Sequence, residues 1–517
     1  MIYYTNYNGH DYDVNGRKHI DSTIYTFDIE TSSYLILDGK TYPAIKYDEM
    51  SDEDKEKCIK QSNMYIWMFG INDIVYYGRT WNDLKIFLDK IEKNSSNRKI
   101  LFIHNFAFEF HYMKSYFNFK NVFARKSRKV ISAEFSDYNM EIRCSYMMSN
   151  CGLKYLPDLF GLPTQKMVGD LDYTKIRTSV TKLSEKEMKY CENDCLVLYY
   201  YIKRELETYE RNDKIPKTST GHVRRELMNI VMHDASYRRR VKRSVNTNPL
   251  VYNRLVEAFI GGYTHASWVY ADEIIEDVDS WDFTSSYPYV LVTHRYPAGK
   301  FKLCNIKRVE QMNRNICYML VVKFRNIKSK YYNNFISSSK CRYTEKAKYD
   351  NGRLISAEEL EITLTDVDFY LILDSYDCDY EIEECWYTSY NYLPLPFINF
   401  VLEKYVNKTK FKNVVGKELE YQKEKNKFNS LYGMSVTNNI RDNVIFDNET
   451  KQWREEPISD DDIIDKLKNE ENKGFMSFAW GVWVTAYARN NLIRNIMKLD
   501  DYLVYSWHWF TKIEKRL

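Results

Sequence analysis

The chain has 517 residues, too many for one hydrophobic core, and 44% hydrophobic content suffices for about two to four domains. Its 75 basic and 72 acidic residues leave a net charge of +3, which excludes nucleic-acid binding through a global positive excess, so any such partner is held locally. Ten cysteines form no CxxC pair and nine histidines show no zinc-completing spacing, so free thiols and a cytoplasmic setting are expected. The first twenty residues are polar and tyrosine-rich, and no run of about 18 apolar residues occurs, so neither a signal peptide nor a membrane span is expected. Forty-six tyrosines, with abundant Lys and Asn, fit AT-rich coding bias better than a special surface.

In chain order, residues 24–29 and 99–103 read as short buried strands, each running into polar residues at its C-terminal end. Ser184 and Glu187 form a capping box, after which Met188, Cys191, Cys195 and Leu198 recur at helical spacing. These elements predict an α/β domain over 1–215. A basic connector, 216–254, carries the run Arg238-Arg239-Arg240-Val241-Lys242-Arg243, which reads as a solvated loop. A second domain opens near Leu255. The charged stretch 448–473 reads as an exposed insertion within it.

Three acidic elements stand in the first domain. Asp28 and Glu30 sit two apart at a strand end, so both side chains leave one face and can share divalent cations. In His104-Asn105-Phe106-Ala107-Phe108-Glu109 a buried strand delivers a carboxylate among apolar residues, where an unpaired charge is costly. On the capped helix, Tyr190 and Asp194 stand four apart on one face. Singly, these are explained by surface acids or core packing. Together Asp28, Glu30, Glu109 and Asp194 could hold two metal ions for in-line phosphodiester hydrolysis.

The order DxE, NxxFE, YxxxD resembles the three exonuclease motifs of family B DNA polymerases. That resemblance implies a ribonuclease H-like 3′→5′ exonuclease domain. It places Asp28 and Glu30 on the catalytic metal, with Asp194 completing the shell and Tyr190 orienting the attacking water. Glu109 stands where an aspartate is usual. Asn105 and Phe108 would contact the single-stranded primer end. Cys151-Gly152-Leu153-Lys154-Tyr155-Leu156 is similar to a primer-contact motif that normally opens with Ser or Thr, which makes Leu153 a DNA contact. Residues 166–173 resemble the KGDxDY segment of the protein-primed group, whose lysine supports exonuclease catalysis. Here Lys166 lies two residues further upstream.

The second half continues the resemblance. Phe259-Ile260-Gly261-Gly262-Tyr263 is similar to the template-strand motif YxGG, with Phe259 for the usual tyrosine; Gly261 and Gly262 alone would suggest only a turn. Asp282 to Pro288 resembles motif A, DxxSLYP. It implies that Asp282 holds both metals and that Tyr287 lies beneath the sugar and excludes a 2′-hydroxyl. Lys425-Asn426-Lys427-Phe428-Asn429-Ser430-Leu431-Tyr432-Gly433 matches motif B, KxxxNSxYG. On a helix Lys425, Asn429 and Tyr432 would share one face toward an incoming nucleotide. Lys408 and Lys410 add a basic segment that is equally a phosphate contact or an exposed loop. Between motifs A and B, the length of the segment and the sequence Thr365-Asp366-Val367-Asp368-Phe369 are similar to the terminal-protein insertion of bacteriophage protein-primed polymerases.

The pattern breaks near the C-terminus. Residues 481–490 resemble the palm helix before motif C, and residues 501–506 should lead into Asp-Thr-Asp. Instead Trp507-His508-Trp509 follows, and the chain runs to Leu517. An indole cannot ligate magnesium. A frameshift, an intron or a truncation would each account for this, and the chain as written is expected to polymerise poorly or not at all.

The expected architecture is α/β and α+β multidomain. It comprises a ribonuclease H-like exonuclease domain (1–215), a connector (216–254), a first palm part (255–300) and an insertion resembling the terminal-protein region (301–400). Fingers (401–445), a charged insertion (446–475), a palm return (476–506) and an aberrant tail (507–517) follow, with the thumb missing. The implied cofactors are Mg2+ or Mn2+, two ions per active site. The implied partners are template-primer DNA, deoxynucleoside triphosphates and a terminal priming protein, in the cytoplasm of a host cell. Two other readings stay open: a free-standing 3′→5′ exonuclease, and a non-enzymatic binder of single strands or of the priming protein.

Overall fold

The computed structural model describes residues 1–12, 14–15, 19–167, 172, 174–283, 285–437, 440–508 and 510–514. The chain forms two compact units: 1–222 with 415–423 and 442–457, and 223–414 with 424–441 and 458–517.

The first unit is built on a nine-stranded mixed sheet. Its central strands run in the order Ile59–Ile71, Tyr25–Leu37, Lys99–Ile103 and Met140–Cys144. Alternation along Tyr25–Leu37 divides its side chains between two layers. Tyr25, Phe27 and Ile29 pack with helices Trp81–Asn94 and Ala107–Met113. Thr26 points the other way, and its hydroxyl donates to the Cys195 carbonyl on helix Glu185–Tyr209. That helix begins with the capping box read from Ser184 and Glu187, and it buries Cys191, Cys195 and Leu198.

One expectation is corrected here. Asp28 and Glu30 do not end their strand, which runs on to Leu37 against Ile59–Ile71. What ends is the parallel neighbour: the pairing with Lys99–Ile103 stops at Phe27 and Ile103. The two acids therefore start where one flank of the strand has opened.

Among the described residues, the second unit has two sheets. Four antiparallel strands run in the order Tyr263–Ala266, Leu503–His508, Phe510–Glu514 and Val278–Asp282. Seven more strands form a sheet that includes the long strands Tyr376–Tyr392, Ile316–Ser329 and Arg353–Thr365. Helix Phe478–Leu499 joins two apolar clusters, giving Trp480, Trp483 and Val484 to one and Leu492, Ile493 and Ile496 to the other.

Two other expectations change. The basic run is not a loop: Ala235–Ser244 is a helix capped by Asp234, which buries Tyr237 and Val241 at a spacing of four and turns Arg238, Arg239, Lys242 and Arg243 outward. The stretch 446–475 is not one exposed insertion. Asn443–Phe446 and Trp453–Glu456 pair as a hairpin in the first unit, where Phe446 and Trp453 meet the Phe110 ring. Asp460–Lys473 is a helix of the second unit that buries Ile463 and Leu467. Charge density concealed both, because a few large apolar residues set the packing. No described helix is long and apolar enough to cross a membrane.

Candidate active sites

In the first unit, ligand atoms of Asp28, Glu30 and Asp194 lie within 4.8 Å of one another. The strand supplies two of these acids and the capped helix packed against it supplies the third. Lys166 Nζ donates to Asp194 Oδ2 at 2.7 Å and stands 5.8 Å from the Tyr190 ring centre. Lys166 thus reaches the site despite its offset in the motif; residues 168–171 and 173 of that segment lie outside the described residues. Tyr190 is buried on the same helix.

Glu109 corrects the expected delivery. It sits in the first turn of helix Ala107–Met113, not on the strand, and it is not one of the three clustered ligands. It is buried, and its Oε2 has no hydrogen-bond partner among the described residues; the same holds for Asp194 Oδ1.

These carboxyls repel one another in a low-dielectric setting. Burial, then Asp194, Glu30 and Glu109, push Asp28 well above the ordinary carboxylate range. Burial and Asp194 push Glu30 up to about 8, against the lowering effect of Lys166 and Arg177. Burial raises Glu109, and Glu30 adds to it. Burial also raises Asp194, with Lys166 opposing. Burial works against the Lys166 ammonium, yet Asp194, Asp28 and Glu30 hold its pKa above the usual value. One ammonium cannot offset four acids. Clustered oxygens, unpartnered buried oxygens and raised pKa values together suit hard divalent cations.

Two neighbours carried no assigned role in the sequence reading. His104 Nδ1 lies 2.9 Å from Ser145 Oγ, while its Nε2 is buried without a partner among the described residues. Burial and Lys166 pull this imidazole down to about 4, so it is neutral at neutral pH. Arg177 donates from Nε to Glu187 Oε1 at 3.0 Å, and its backbone N–H bonds Ser32 Oγ beyond the Asp28–Glu30 pair. A histidine beside the NxxFE motif was a signal for the first; nothing in the sequence marked the second.

Asn105 is exposed with a left-handed φ of 63°, a conformation asparagine tolerates, and its carbonyl accepts the Phe108 N–H. Phe108 is 41% exposed, although apolar. Leu153 lies in the short helix Leu153–Tyr155, partly covered.

In the second unit, Asp282 ends strand Val278–Asp282 and is exposed. Tyr287 is buried in helix Ser286–Thr293. Lys425 and Asn429 lie on helix Glu418–Ser435, Lys425 half-buried and Asn429 exposed; the Tyr432 side chain lies outside the described residues. Lys408 Nζ donates to Ser285 Oγ at 3.0 Å. Burial, Lys412 and Lys425 lower its pKa while Asp282 raises it, so Lys408 links motif A to the motif B helix. The described residues hold no group of three ligands around Asp282. The backbone at Phe510 faces Asp282 across the sheet, yet no Asp or Glu stands between Leu503 and Ile513. Asp282 therefore does not fit a two-ion site by itself.

The glycine pair is held from behind. Arg489 donates through Nη1 to the carbonyls of Ile260 and Gly261 at 2.5 and 2.9 Å. Its Nε and Nη2 bond Asp368 at 3.2, 2.7 and 2.8 Å, and both side chains are buried. Asp366 is buried too, accepting from Tyr390, Trp483 and the backbone of Tyr318 and Val367. The acids of the segment 365–369 thus serve inside the second unit.

A mixed-sheet unit with three clustered carboxylates and a second unit of two sheets and packed helices define a two-unit α/β and α+β protein. Residues 167–492, more than half the chain, match the family of DNA polymerases type B, organellar and viral, and the chain belongs to that family of DNA nucleotidyltransferases. Among solved structures, phi29 DNA polymerase complexed with primer-template DNA and incoming nucleotides matches with a TM-score of 0.66 at 16% identity, over 96% of this chain and 81% of that one. Phi29 DNA polymerase complexed with single-stranded DNA matches with a TM-score of 0.68 at 16% identity, over 96% and 80%. The orthorhombic crystal form of phi29 DNA polymerase gives 0.68 at 15%, over 96% and 81%. At such identities the likeness concerns the fold. No curated protein matches the sequence.

Proposed function

We propose that the chain is a protein-primed type of viral DNA polymerase whose working centre is a 3′→5′ exonuclease, and that it does not extend primers at an appreciable rate. The observation that carries this is the meeting of Asp28, Glu30 and Asp194 within 4.8 Å, beside Lys166, set against an Asp282 with no such companions among the described residues.

Asp28, Glu30 and Asp194, with Glu109 nearby, would hold Mg2+ or Mn2+, two ions in the two-metal scheme, which when bound supplies a nucleophilic water at neutral pH and offsets phosphate charge. The rest is the chain's own work. Tyr190, on the same helix as Asp194, orients the attacking water through its hydroxyl. Lys166 stays charged and fixes the Asp194 carboxylate through its 2.7 Å bond. Asn105, Phe108 and Leu153 hold the single-stranded 3′ end, with the exposed Phe108 ring offering a stacking surface.

In the second unit, Tyr287 would lie under a deoxyribose, Lys425, Asn429 and Tyr432 would face a triphosphate, and Gly261 and Gly262 would contact the template strand. Asp282 alone leaves synthesis without the second carboxylate that a two-ion mechanism needs. This favours an exonuclease without synthesis over a complete polymerase. The terminal priming protein, template-primer DNA and deoxynucleoside triphosphates are the partners this reading implies.

The test is a pair of assays on purified protein with Mg2+: release of nucleotides from a 3′-terminal single strand, and extension of a primed template. Degradation without extension supports the reading. Extension that is lost in Asp282→Ala overturns it.

A further inference from the structure

The second unit holds a pocket that no motif claims. Helix Asp366–Ser375 lies beside helix Phe478–Leu499, and Phe369, Leu371 and Ile372 share an apolar cluster with Leu492, Ile493 and Ile496. The ion pair of Arg494 with Asp374, at 2.8 Å, also joins the two helices. Together with residues 294–295, which follow helix Ser286–Thr293, they line a pocket of about 370 Å3. That volume lies within the range of small-molecule sites. Motif A precedes the first residue of the short helix, and the pocket begins past its last, about 12 Å further along at 1.5 Å per residue. Asp282, Lys408 and Lys425 do not line it.

Its charges do not balance. Three guanidiniums, of Arg295, Arg314 and Arg494, face two carboxylates, of Asp366 and Asp374. Arg494 is matched by Asp374 and by Asn490 Oδ1 at 2.7 Å. Buried Asp366 is matched by Tyr390, Trp483 and two backbone N–H groups. The excess therefore rests on the other two arginines. Arg295 donates to Asn315 Oδ1 at 3.3 and 3.4 Å, long bonds to an exposed neutral group, and lies over the Tyr390 ring at 5.5 Å. Arg314 is exposed and lies over the Tyr370 ring at 5.4 Å. Neither forms an ion pair among the described residues.

A guanidinium held over an aromatic ring keeps N–H donors at its edge, where phosphate oxygens accept them in pairs. A carboxylate is saturated by one such fork, so two forks in one pocket suit linked phosphates better. The rings of Tyr370 and Tyr487 line the same space and offer apolar faces to a base. We propose that this pocket binds a diphosphate group on Arg295 and Arg314, either free as pyrophosphate or carried by a nucleotide whose base lies against the tyrosines. The site shares no residue with the carboxylate cluster of the first unit or with motifs A and B, so it is independent of the nuclease reading.

The experiment is equilibrium dialysis of the whole chain in EDTA at low salt, with radiolabelled dATP and, in parallel, radiolabelled pyrophosphate. Saturable binding of one ligand per chain is expected. Arg295→Ala with Arg314→Ala should weaken it at least about tenfold, the equivalent of losing one charge-assisted contact. Binding of dATP about threefold or more tighter than pyrophosphate assigns the nucleotide, since the base then adds a ring contact; equal binding assigns the free diphosphate. Arg314 is exposed, so Arg314→Ala alone supplies the test should circular dichroism show the double variant unfolded. No saturable binding of either ligand, wild-type affinity in the arginine variants, or equal competition by deoxyadenosine would overturn the proposal. So would loss of binding in Lys425→Ala, which would move the ligand to the motif B helix.

Discussion

The acids clustered in the two units differ in how fully their hydrogen bonds are met, although burial raises Asp366 of the second unit as well. In the first unit, Asp28, Glu30, Glu109 and Asp194 all titrate high, Lys166 bonds Asp194 alone, and one buried oxygen each of Glu109 and Asp194 has no partner among the described residues. In the second, Asp368 is matched by three hydrogen bonds from Arg489, and Asp366 by two side-chain donors and two backbone N–H groups. A buried charge whose partners are all present is a structural part, whereas one whose partners are missing implies a ligand that supplies them. By that criterion the cluster of the first unit lacks partners that a cation would supply, whereas Asp366 and Asp368 find theirs within the second unit. Asp282, exposed and outside any three-ligand cluster of the described residues, falls in neither group.

The largest effect that would break this contrast is expected at the unmatched site. Asp28→Ala combined with Glu30→Ala should lower metal-dependent degradation of a single strand by on the order of 10³-fold or more, since one electrostatic donor in an active site is already worth about 10²–10³. Single-turnover rates check this, and undiminished degradation would place the nuclease elsewhere. At the matched site the effect should be on stability. Asp368→Asn leaves the buried Arg489 charge uncompensated and should cost about 3–5 kcal/mol, read as a lower denaturant midpoint. A change under about 1 kcal/mol would mean that the pair is not the clamp described.

Lys166→Ala should give a smaller loss of nuclease rate, about 10–100-fold, as removal of a group that orients a metal ligand does. Its diagnostic is the pH profile. Without the ammonium the carboxyl pKa values rise, so the acidic limb of activity should move to higher pH; an unmoved limb would remove Lys166 from the site.

The smallest effect separates metal-free from metal-loaded protein. Glu30 titrates at about 8 against an ordinary 4.5, so the folded state binds its proton more tightly than the unfolded chain does. The stability from this group is full below about pH 4.5 and is lost as pH rises toward 8. In EDTA the Tm should fall over that window, and Mg2+ or Glu30→Gln should flatten the fall.

Much of the first site was legible because it is local. The capping box at Ser184 fixes the phase of its helix and so the face that Asp194 occupies, and strand alternation places Asp28 and Glu30 together. What was not legible depends on distant pairings. The end of the parallel neighbour at Ile103, not of the strand itself, opens the flank at Asp28. Glu109 lies on a helix because residues after Ile103 turn through the left-handed Asn105, which short-range apolar content hides. The hairpin 443–456 joins a unit more than two hundred residues upstream through Phe446 and Trp453, a contact without local periodicity. Arg489 stood within the palm-helix motif, yet its task depends on Asp368, 121 positions away.

The most direct test runs the wild-type chain, Asp28→Ala with Glu30→Ala, and Asp282→Ala side by side on one primed template with a single-stranded 3′ tail, with Mg2+, in the presence and absence of deoxynucleoside triphosphates. The account predicts that the tail is shortened by wild type and by Asp282→Ala, not by the double variant, and that no chain lengthens the primer. Primer extension by wild type that vanishes in Asp282→Ala would contradict it.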